Sequence, residues 1–453
     1  MPQNPAAAPD DADPFEDPFS LEPLDGVDAP PVAQTPQGPD QTDRVIIAAA
    51  EELGTGCPCD LIVVDDSTGE LTAFALASVA EHPDAVVLSW TSTLPLATAL
   101  RERFAEQIEA GRLHVPAGPD ILPLEQAAAE VEGHLLVLMR LPKAVHALED
   151  RARRLAAAVR TSGQSGLEII AGGRVKHMTR TQNDALATVF SEVRASRGIG
   201  KSRALIATGL RESVAAPAAL ESSARVTVRG QQRTIALRGL GAVFGGASAD
   251  AGSRLLLDTL DRSLAAGELA APDANAAPDA NAAPDAPVAA SVPGAPVAAS
   301  AVSAAAAAPV AAAADLGCGN GLMTAYLAAA LPETRVLGSD ADADAVASTR
   351  ATLAANGLER DGVEVSWDDA LSQVADSSVD LVLLNPPFHE GTAVDATLVQ
   401  GLLDTVARVL RPGGQLWFVH NSHLRYRTEV ERRVGTVRQR ARDRRFTVLS
   451  AVR

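Results

Sequence analysis

The stretch VAAAADLGCGNG, residues 310–321, decides the fold of the second half of the chain. An apolar run leads to Asp315, and Gly317, Gly319 and Gly321 follow before a helical pattern at residues 322–331. A strand, a carboxylate, a glycine-rich turn and a helix together are typical of cofactor-binding α/β units, because glycines adopt positive φ and let the backbone approach a ligand. A tight structural turn is the simpler alternative.

The glycine spacing narrows the choice of cofactor. The pyrophosphate-binding pattern G-x-G-x-x-G is not matched, since the third glycine comes one residue early. An acidic residue two positions before the first glycine suits a cationic ligand, and S-adenosyl-L-methionine carries a sulfonium and an ammonium group. The next predicted strand ends at Asp340, whose carboxylate can accept both hydroxyls of an adenosine ribose. The predicted cofactor contacts here are Asp315, Gly317, Gly319, Asn320, Gly321 and Asp340.

Two further strand ends are predicted to face the same crevice, because ligands of doubly wound sheets bind at the carboxyl ends of the strands. The third strand ends at Trp367-Asp368-Asp369-Ala370, where Asp369 and the Ala370 backbone can hold an adenine ring. An exposed acidic turn is the alternative. The fourth, VDLVLL at residues 379–384, ends at Asn385-Pro386-Pro387-Phe388, and Asn385 is expected to contact the cofactor as well.

The Asn-Pro-Pro-Phe tetrad resembles the strand-four motif of class I S-adenosylmethionine methyltransferases that act on planar amino groups. The lone pair of such a nitrogen is delocalised. The Asn385 side-chain oxygen and the Pro386 carbonyl can each accept one of its N–H bonds and aim the lone pair at the methyl group. Prolines hold the carbonyl in place, and Phe388 can stack on a base for ~1–3 kcal/mol. We therefore predict catalytic roles for Asn385, Pro386 and Phe388, and substrate contacts from Asn385, Pro387, Phe388 and His389. A proline-ended turn is the simpler alternative.

Several segments resemble one family, the bacterial ribosomal RNA (guanine-N2)-methyltransferases with tandem methyltransferase-like domains. They are NPPFH at 385–389, GAVFGGASADAG at 241–252, NSHLRY at 421–426, LPK at 141–143 and IIAG at 169–172. The family's phenylalanine-serine pair is broken here, since Gly245 follows Phe244. The NSHLRY stretch favours the large-subunit (23S) type over the small-subunit (16S) type. The tetrad alone leaves adenine N6 and protein glutamine N5 open, and a non-catalytic RNA-binding protein is a further alternative.

The expected fold is α/β, with two tandem Rossmann-like domains of the class I methyltransferase type. The resemblance implies a cofactor-free, RNA-binding domain at residues 42–215 and a catalytic domain at 216–453, whose seven-stranded sheet ends in an antiparallel hairpin. Residues 1–41 are predicted to be a disordered acidic tail, and the Ala/Pro-rich repeats at 263–309 a disordered insertion.

Charge is strongly segregated along the chain, although the formal net charge is −18. Residues 1–43 carry ten Asp or Glu and no Lys or Arg, whereas residues 151–262 carry eighteen Lys or Arg against eight Asp or Glu. Residues 401–453 carry twelve Arg against four acidic residues. The basic regions favour ribosomal RNA as the partner. Solvated arginine-rich helix faces are the alternative interpretation.

The remaining features of the sequence indicate what the protein is expected to lack. No apolar run reaches the ~18–20 residues of a membrane span, and the N-terminus lacks the pattern of a secretion signal. Three cysteines make no disulfide framework, which favours a cytoplasmic protein. Cys57-Pro-Cys59 is at most half a metal site, and no metal is expected. A monomer is expected.

Overall fold

Two seven-stranded sheets and a separate two-stranded hairpin form the framework of the protein. The computed structural model describes residues 38–54, 61–82, 84–116, 122–131, 133–269, 310–386 and 393–453. Within these ranges no helix is both long and apolar enough to cross a lipid bilayer.

The helices, numbered along the chain, are α1 (Gln41–Leu53), α2 (Glu70–Ser78), α3 (Leu94–Arg103), α4 (Ala105–Glu109), α5 (Leu124–Ala129), α6 (Val145–Ser162), α7 (Arg180–Ala187), α8 (Ala251–Ala265), α9 (Leu322–Ala330), α10 (Ala343–Ala355), α11 (Ala393–Val409) and α12 (Arg427–Arg433), and a single 3₁₀ turn spans Val175–His177.

The strands are β1 (Leu61–Val64), β2 (Val87–Trp90), β3 (Leu113–His114), β4 (His134–Arg140), β5 (Gly166–Arg174), β6 (Phe190–Ala195), β7 (Ser202–Leu210), β8 (Leu220–Val228), β9 (Gln231–Gly239), β10 (Ala312–Leu316), β11 (Arg335–Asp340), β12 (Val363–Trp367), β13 (Val379–Leu384), β14 (Leu410–Asn421), β15 (Thr436–Arg442) and β16 (Phe446–Val452).

The two large sheets have the same topology. The first has the order β3-β2-β1-β4-β5-β7-β6 and the second the order β12-β11-β10-β13-β14-β16-β15. In each sheet five strands run parallel, and the last two add an antiparallel hairpin. The predicted fold class, two tandem Rossmann-like units with a final hairpin, is confirmed.

The second sheet is sandwiched between two apolar layers. All six residues of β13 are buried, as expected for a central parallel strand that is covered on both faces. One face packs on α8, α9 and the β8–β9 hairpin. The other face packs on α11 and α12. The strand order changes direction between β10 and β13, and this change opens a crevice at their carboxyl ends.

Two predicted boundaries differ from the structure. Helix α8 continues to Ala265, and Leu269 is 8% exposed in the core, so the first residues of the predicted insertion 263–309 belong to the folded domain. Asp40 caps α1, so the predicted tail 1–41 overlaps folded chain. Residues 1–37 and 270–309 lie outside the described ranges. Residues 411–414 lie in a bulge of β14, because Val379 pairs with Leu410 whereas Leu381 pairs with Gln415.

Candidate active site

A cavity of about 610 Å³ lies at the carboxyl ends of β10, β11 and β13. Its walls combine the turn after β10, the residues that follow the neighbouring strands and the segment that precedes α8. The predicted site residues that line it are Gly317, Gly319, Asn320, Asp340, Asp369, Ala370, Asn385 and Pro386. The structure therefore brings together the strand ends that the sequence predicted to meet.

The three glycines of the turn have two different roles. All have positive φ, +81° at Gly317, +54° at Gly319 and +80° at Gly321. A Cβ on Gly317 or Gly319 would meet nothing within 4 Å, so both present bare backbone to the open crevice. A Cβ on Gly321 would lie 2.8 Å from Thr349 Cα, so Gly321 permits helix packing and does not line the crevice. Gly321, a predicted cofactor contact, therefore lies outside the lining of the crevice.

Asp340 fixes the turn from the neighbouring strand. Its Oδ2 accepts a hydrogen bond from the Gly319 backbone N–H at 3.0 Å. Its Oδ1 accepts from the Asp342 N–H at 2.9 Å. Burial raises the pKa of the Asp340 carboxyl. A carboxylate oxygen can accept more than one hydrogen bond. The Asp340 carboxylate can therefore also accept hydrogen bonds from the hydroxyl groups of a ligand.

Asp315 lies beneath the turn rather than in the crevice, in contrast to its predicted direct contact with the cofactor. Its Oδ2 accepts from the Thr324 hydroxyl at 2.6 Å. Its Oδ1 is buried and has no hydrogen-bond partner within the described ranges. Burial, with a smaller contribution from the Asp340 charge, raises the pKa of Asp315 to about 7. A cation bound in the crevice would stabilise its ionised form.

The turn after β12 places two adjacent carboxylates, Asp368 and Asp369, in different environments. Asp368 is 1% exposed and accepts hydrogen bonds from the backbone N–H groups of Ser372 and Gln373. Asp369 is exposed and lines the crevice, and partial burial together with the Asp368 charge raises its pKa. Ala370 has φ +51°, an unusual conformation for a residue other than glycine. Asp368 thus holds the turn that presents Asp369 and the Ala370 backbone.

Asn385 has a fixed orientation. Its Nδ2 donates to Asp250 Oδ2 at 3.0 Å and to Ser253 Oγ at 2.8 Å. Asp250 also caps α8, since its Oδ2 accepts from the Ser253 backbone N–H. A carboxylate only accepts hydrogen bonds, so it selects the amide orientation with the NH₂ group toward α8. The Asn385 Oδ1 is then left for an incoming donor.

The rest of the predicted tetrad is described only in part. Pro386 is buried and lines the crevice. Pro387, Phe388 and His389 lie outside the described ranges, and their predicted contacts with substrate remain predictions.

Asn320 was predicted to contact the cofactor, and its side chain also anchors the segment before α8. Its Nδ2 donates to the carbonyl oxygens of Gly246 at 3.1 Å and Ser248 at 2.9 Å. These bonds hold the segment before α8 against the glycine turn.

Sequence reasoning missed several residues of the site. Ser253 was not assigned any role, although its place three residues after an aspartate at a helix start was a usable signal. Phe244, 65% exposed, also lines the crevice, and so does Arg445 from the β15–β16 turn. No local pattern marks Arg445, because only the closing hairpin of the sheet brings it to the cavity.

The crevice fits S-adenosylmethionine in shape and charge. Bare backbone at Gly317 and Gly319 permits close approach, and Asp340 and Asp369 stand at the ends of adjacent strands. In its ionised form, Asp315, whose Oδ1 has no hydrogen-bond partner in the described ranges, would add a negative field that suits a cation. No group of three His, Cys, Asp or Glu side chains that could bind a metal ion occurs in the described ranges.

Comparisons with known proteins agree with this geometry. Residues 299–450 match the family described as the methyltransferase small domain. Residues 30–211 match the RLMG N-terminal domain. The chain is 29% identical over 415 residues to a ribosomal RNA large subunit methyltransferase G of Pseudomonas aeruginosa, covering 91% of this chain and 92% of that protein.

Two further relatives support the match. A ribosomal RNA large subunit methyltransferase G of Streptomyces coelicolor is 44% identical over 139 residues, which are 31% of this chain and 37% of that protein. The solved structure of the T. thermophilus 16S rRNA N2 G1207 methyltransferase in complex with AdoMet and guanosine has a TM-score of 0.61. It is 21% identical, covering 93% of this chain and 94% of that chain, and shows the same fold.

Fold, crevice and family matches together define an S-adenosylmethionine-dependent methyltransferase with tandem domains. Within that class, the chain resembles the bacterial ribosomal RNA (guanine-N2)-methyltransferases and specifically the large subunit methyltransferases G. The resemblance inferred from the sequence, including the preference for the large-subunit type, is confirmed.

Proposed function

We propose that this protein transfers a methyl group from S-adenosylmethionine to the exocyclic N2 amino group of a guanine in large-subunit ribosomal RNA. The observation that carries the proposal is the orientation of Asn385, whose amide NH₂ is held by Asp250 and Ser253. An oriented acceptor oxygen at the mouth of a cofactor crevice suits a planar amino group. The relatives' printed name, ribosomal RNA large subunit methyltransferase G, supports ribosomal RNA as the substrate. The solved 16S rRNA N2 G1207 methyltransferase, which shares the fold and was determined with guanosine bound, supports guanine as the base.

In this reaction each residue of the site has a separate role. Asp340, Asp369 and the backbone of Gly317 and Gly319 position the cofactor, which supplies a methyl group on a sulfonium and leaves as a neutral thioether. Asn385 Oδ1 accepts one N–H of the guanine amino group, and the Pro386 carbonyl accepts the other. The nitrogen lone pair is thereby directed toward the methyl carbon, an orientation effect. After the N–C bond forms and the S–C bond breaks, the nitrogen loses one proton to water.

The target amino group must leave a base pair to reach Asn385. A guanine within a duplex would be flipped into the crevice at a cost of a few kcal/mol. Phe388 is proposed to stack on the extruded base, with Pro387 and His389 beside it. We further propose that the enzyme works as a monomer in the cytoplasm and without a metal ion, since a neutral leaving group needs no electrophilic assistance.

Nucleoside mass spectrometry of ribosomal RNA from a deletion strain tests the substrate. We expect the loss of N2-methylguanosine at one large-subunit position and its return when the gene is restored. Loss of N6-methyladenosine instead would assign the adenine reaction. Unchanged ribosomal RNA together with an unmethylated glutamine in a protein would assign the glutamine reaction.

The Asn385→Ala variant tests the role of the tetrad. Removing an oriented polar group from a reaction site commonly lowers kcat by on the order of 10²-fold. We expect such a fall, with the dissociation constant for S-adenosylmethionine, measured by calorimetry, within a few-fold of the wild-type value. Near wild-type turnover in this variant would refute the assigned role, and unchanged RNA binding without any wild-type turnover would favour the non-catalytic alternative.

A further inference from the structure

We infer that Arg445 selects guanine as the target base by donating hydrogen bonds to the O6 and N7 atoms of its ring. Arg445 lies in the turn between β15 and β16, is exposed and lines the cofactor crevice. The inference rests on the proposed guanine-N2 reaction and adds the residue that distinguishes guanine from other bases.

The two acceptors at the end of β13 do not supply this selectivity by themselves. Asn385 Oδ1 and the Pro386 carbonyl accept hydrogen bonds from an amino group, and the amino groups of adenine and glutamine offer the same two N–H bonds. Guanine carries an acceptor oxygen at C6, whereas adenine carries an amino donor there. A donor that faces O6 would therefore favour a purine that has this oxygen.

Arg445 is the one cationic side chain among the described residues that line the crevice. The other charged side chains of the lining are the carboxylates of Asp250, Asp340, Asp368 and Asp369. An ionised carboxylate only accepts hydrogen bonds, so none of these groups suits O6. The amide NH₂ groups of Asn320 and Asn385 are each bonded to two acceptors of the protein already. Arg445 therefore offers free N–H donors where the amide donors of the described lining are occupied.

The guanidinium of Arg445 is held in place without the use of its own donors. Its Cζ lies 5.2 Å from the centre of the Phe446 ring, a cation–π contact. Asp443 Oδ1 accepts hydrogen bonds from the backbone N–H groups of Arg445 and Phe446 at 2.7 Å each, which fixes the turn. Within the described ranges the Arg445 side chain forms no ion pair and no hydrogen bond. Its N–H groups are therefore left for a ligand.

The same helix turn supports both Arg445 and Asn385. The Phe446 ring packs against the start of α8, where a Cβ on Gly252 would lie 3.2 Å from two atoms of the ring. The next residue, Ser253, accepts a hydrogen bond from Asn385 Nδ2 at 2.8 Å. The first turn of α8 thus contacts the ring under the guanidinium and also the amide at the reaction centre.

Arg445 stands on the substrate side of the crevice. The residues proposed to position the cofactor follow β10, β11 and β12, which lie on one side of β13. Arg445 precedes β16, which lies two strands from β13 on the other side. Two strand spacings are about 10 Å, a gap that a purine held at Asn385 and an arginine side chain bridge together. Arg445 therefore faces the base rather than the cofactor.

The chemistry of the crevice favours the base over an RNA phosphate as the partner of Arg445. The carboxylates of the lining repel a phosphate group, whereas a base is neutral. A planar guanidinium presents paired donors, and arginine on guanine O6 and N7 is the commonest specific contact in protein–DNA complexes. Arg444, in the same turn, is exposed but does not line the crevice. It serves as the matched control.

The test measures which base the enzyme prefers. The substrate is a protein-free fragment of 23S ribosomal RNA that spans the position found with the deletion strain, ligated with either guanosine or 2-aminopurine riboside at that position. 2-Aminopurine keeps the 2-amino group and lacks O6. The ratio of kcat/KM on the two RNAs is compared between wild type, Arg445→Met and Arg444→Met, so the different reactivity of the two amino groups cancels.

We expect Arg445→Met to lower kcat/KM on the guanosine RNA by about 5- to 150-fold, the discrimination that one bidentate pair supplies. On the 2-aminopurine RNA the fall should be much smaller, because that base has no O6 to lose. Arg444→Met should keep the wild-type ratio. An equal fall on both RNAs, or no fall on either, would overturn the inference. A weaker salt dependence together with an equal fall would assign Arg445 to a phosphate instead.

Failure of this inference is separable from failure of the proposed function. Methylation of the guanosine RNA by the wild type, with the same base preference in Arg445→Met, would remove the inference and leave the reaction. No methylation of the guanosine RNA by the wild type would remove the reaction and the inference with it. If Arg445→Met folds poorly, Arg445→Lys keeps the charge without the planar fork of donors and should still narrow the base preference.

Discussion

At the scale of single residues, the site depends on hydrogen bonds that orient side chains before any ligand arrives. Asn385 would rotate freely about its terminal bond without the acceptors Asp250 and Ser253 on α8. Its preorganisation therefore comes from the N-cap and first turn of a helix, and the N-cap Asp250 lies 135 residues earlier in the chain. Residues outside the tetrad should consequently affect turnover.

Ser253→Ala should lower kcat with little change in KM for RNA, because one Asn385 N–H loses its acceptor and the amide becomes less restricted. One hydrogen bond is worth ~0.5–1.5 kcal/mol, so we expect a fall of about 2- to 12-fold. Steady-state kinetics measure this fall. The helix cap uses the backbone N–H of Ser253 and is retained. A change in thermal stability that accounts for the whole loss of activity would contradict the positioning role.

Asp315→Asn should change how stability depends on pH. The folded-state pKa of about 7 lies above the ordinary value of 3.8, so the folded state binds the extra proton. The stabilisation by the protonated form is complete below pH ~4 and is lost as the pH rises through about 7. Urea unfolding without cofactor should show wild type losing stability relative to the variant between pH ~4 and pH ~8. A difference that is constant with pH would exclude this titration.

At the scale of elements, a polar ladder joins the β8–β9 hairpin to α10. Backbone N–H groups at alternate positions, Ala236, Arg238, Leu240 and Ala242, donate to side chains four residues apart, Asn356, Thr352, Ser348 and Asp344. Two strand residues rise ~6.8 Å and four helix residues ~6.0 Å, so the two spacings match. The ladder closes the free edge of β9 and leads the chain to the segment above the crevice.

Thr352→Val should destabilise the protein by about 1–3 kcal/mol, because it leaves the partly buried Arg238 N–H without its side-chain acceptor. Thr352 also donates to Asn320 O at 2.8 Å, so affinity for S-adenosylmethionine should fall as well. Urea unfolding and calorimetry measure the two effects. Thr227→Val is the control, since in the part of the chain that the structure describes its hydroxyl bonds only the exposed Gln232 side chain of the same hairpin. Equal stability of the two variants would show that the ladder contributes nothing.

At the scale of the whole molecule, the first sheet unit supports the cofactor crevice of the second. Arg151 is 2% exposed and bonds Asp65 at 2.8 Å and Asp344 at 3.2 Å. Asp344 in turn accepts from the Ala242 N–H beside the crevice. The Trp367 Nε1–H reaches Ser92 O at 3.1 Å and Ala341 O at 2.9 Å. The loop that follows Asp340 is therefore held in part by the first unit.

Arg151→Met should cost about 3–5 kcal/mol, because it leaves the buried carboxylate of Asp344 and the partly exposed carboxylate of Asp65 without this counter-charge. We also expect weaker binding of S-adenosylmethionine, because Asp344 would no longer be held in place. Thermal unfolding and calorimetry measure both. Arg153→Met is the matched control on the same helix. Its partner Glu149 is on that helix and partly exposed, so ~1 kcal/mol or less is expected. Equal losses in the two variants would rule out a special role for Arg151.

Local periodicity was sufficient to predict the α/β class, the parallel strands and most of the crevice. The glycine turn, Asp340, Asp369 and Asn385 each follow a short apolar strand, and parallel topology places such positions on one edge. The β8–β9 hairpin was missed, although alternating apolar residues around Arg229-Gly230 mark a two-residue turn with positive φ at both positions.

The sequence by itself determined which residue types stand at the ends of the central strands, because strand pattern and turn chemistry are local properties. Only the tertiary structure decided that Asp315 lies beneath the turn, that Ser253 orients Asn385 and that Arg151 joins the two units. These outcomes depend on packing between residues distant in the chain, and local patterns carry no information about which distant groups will share a buried hydrogen bond.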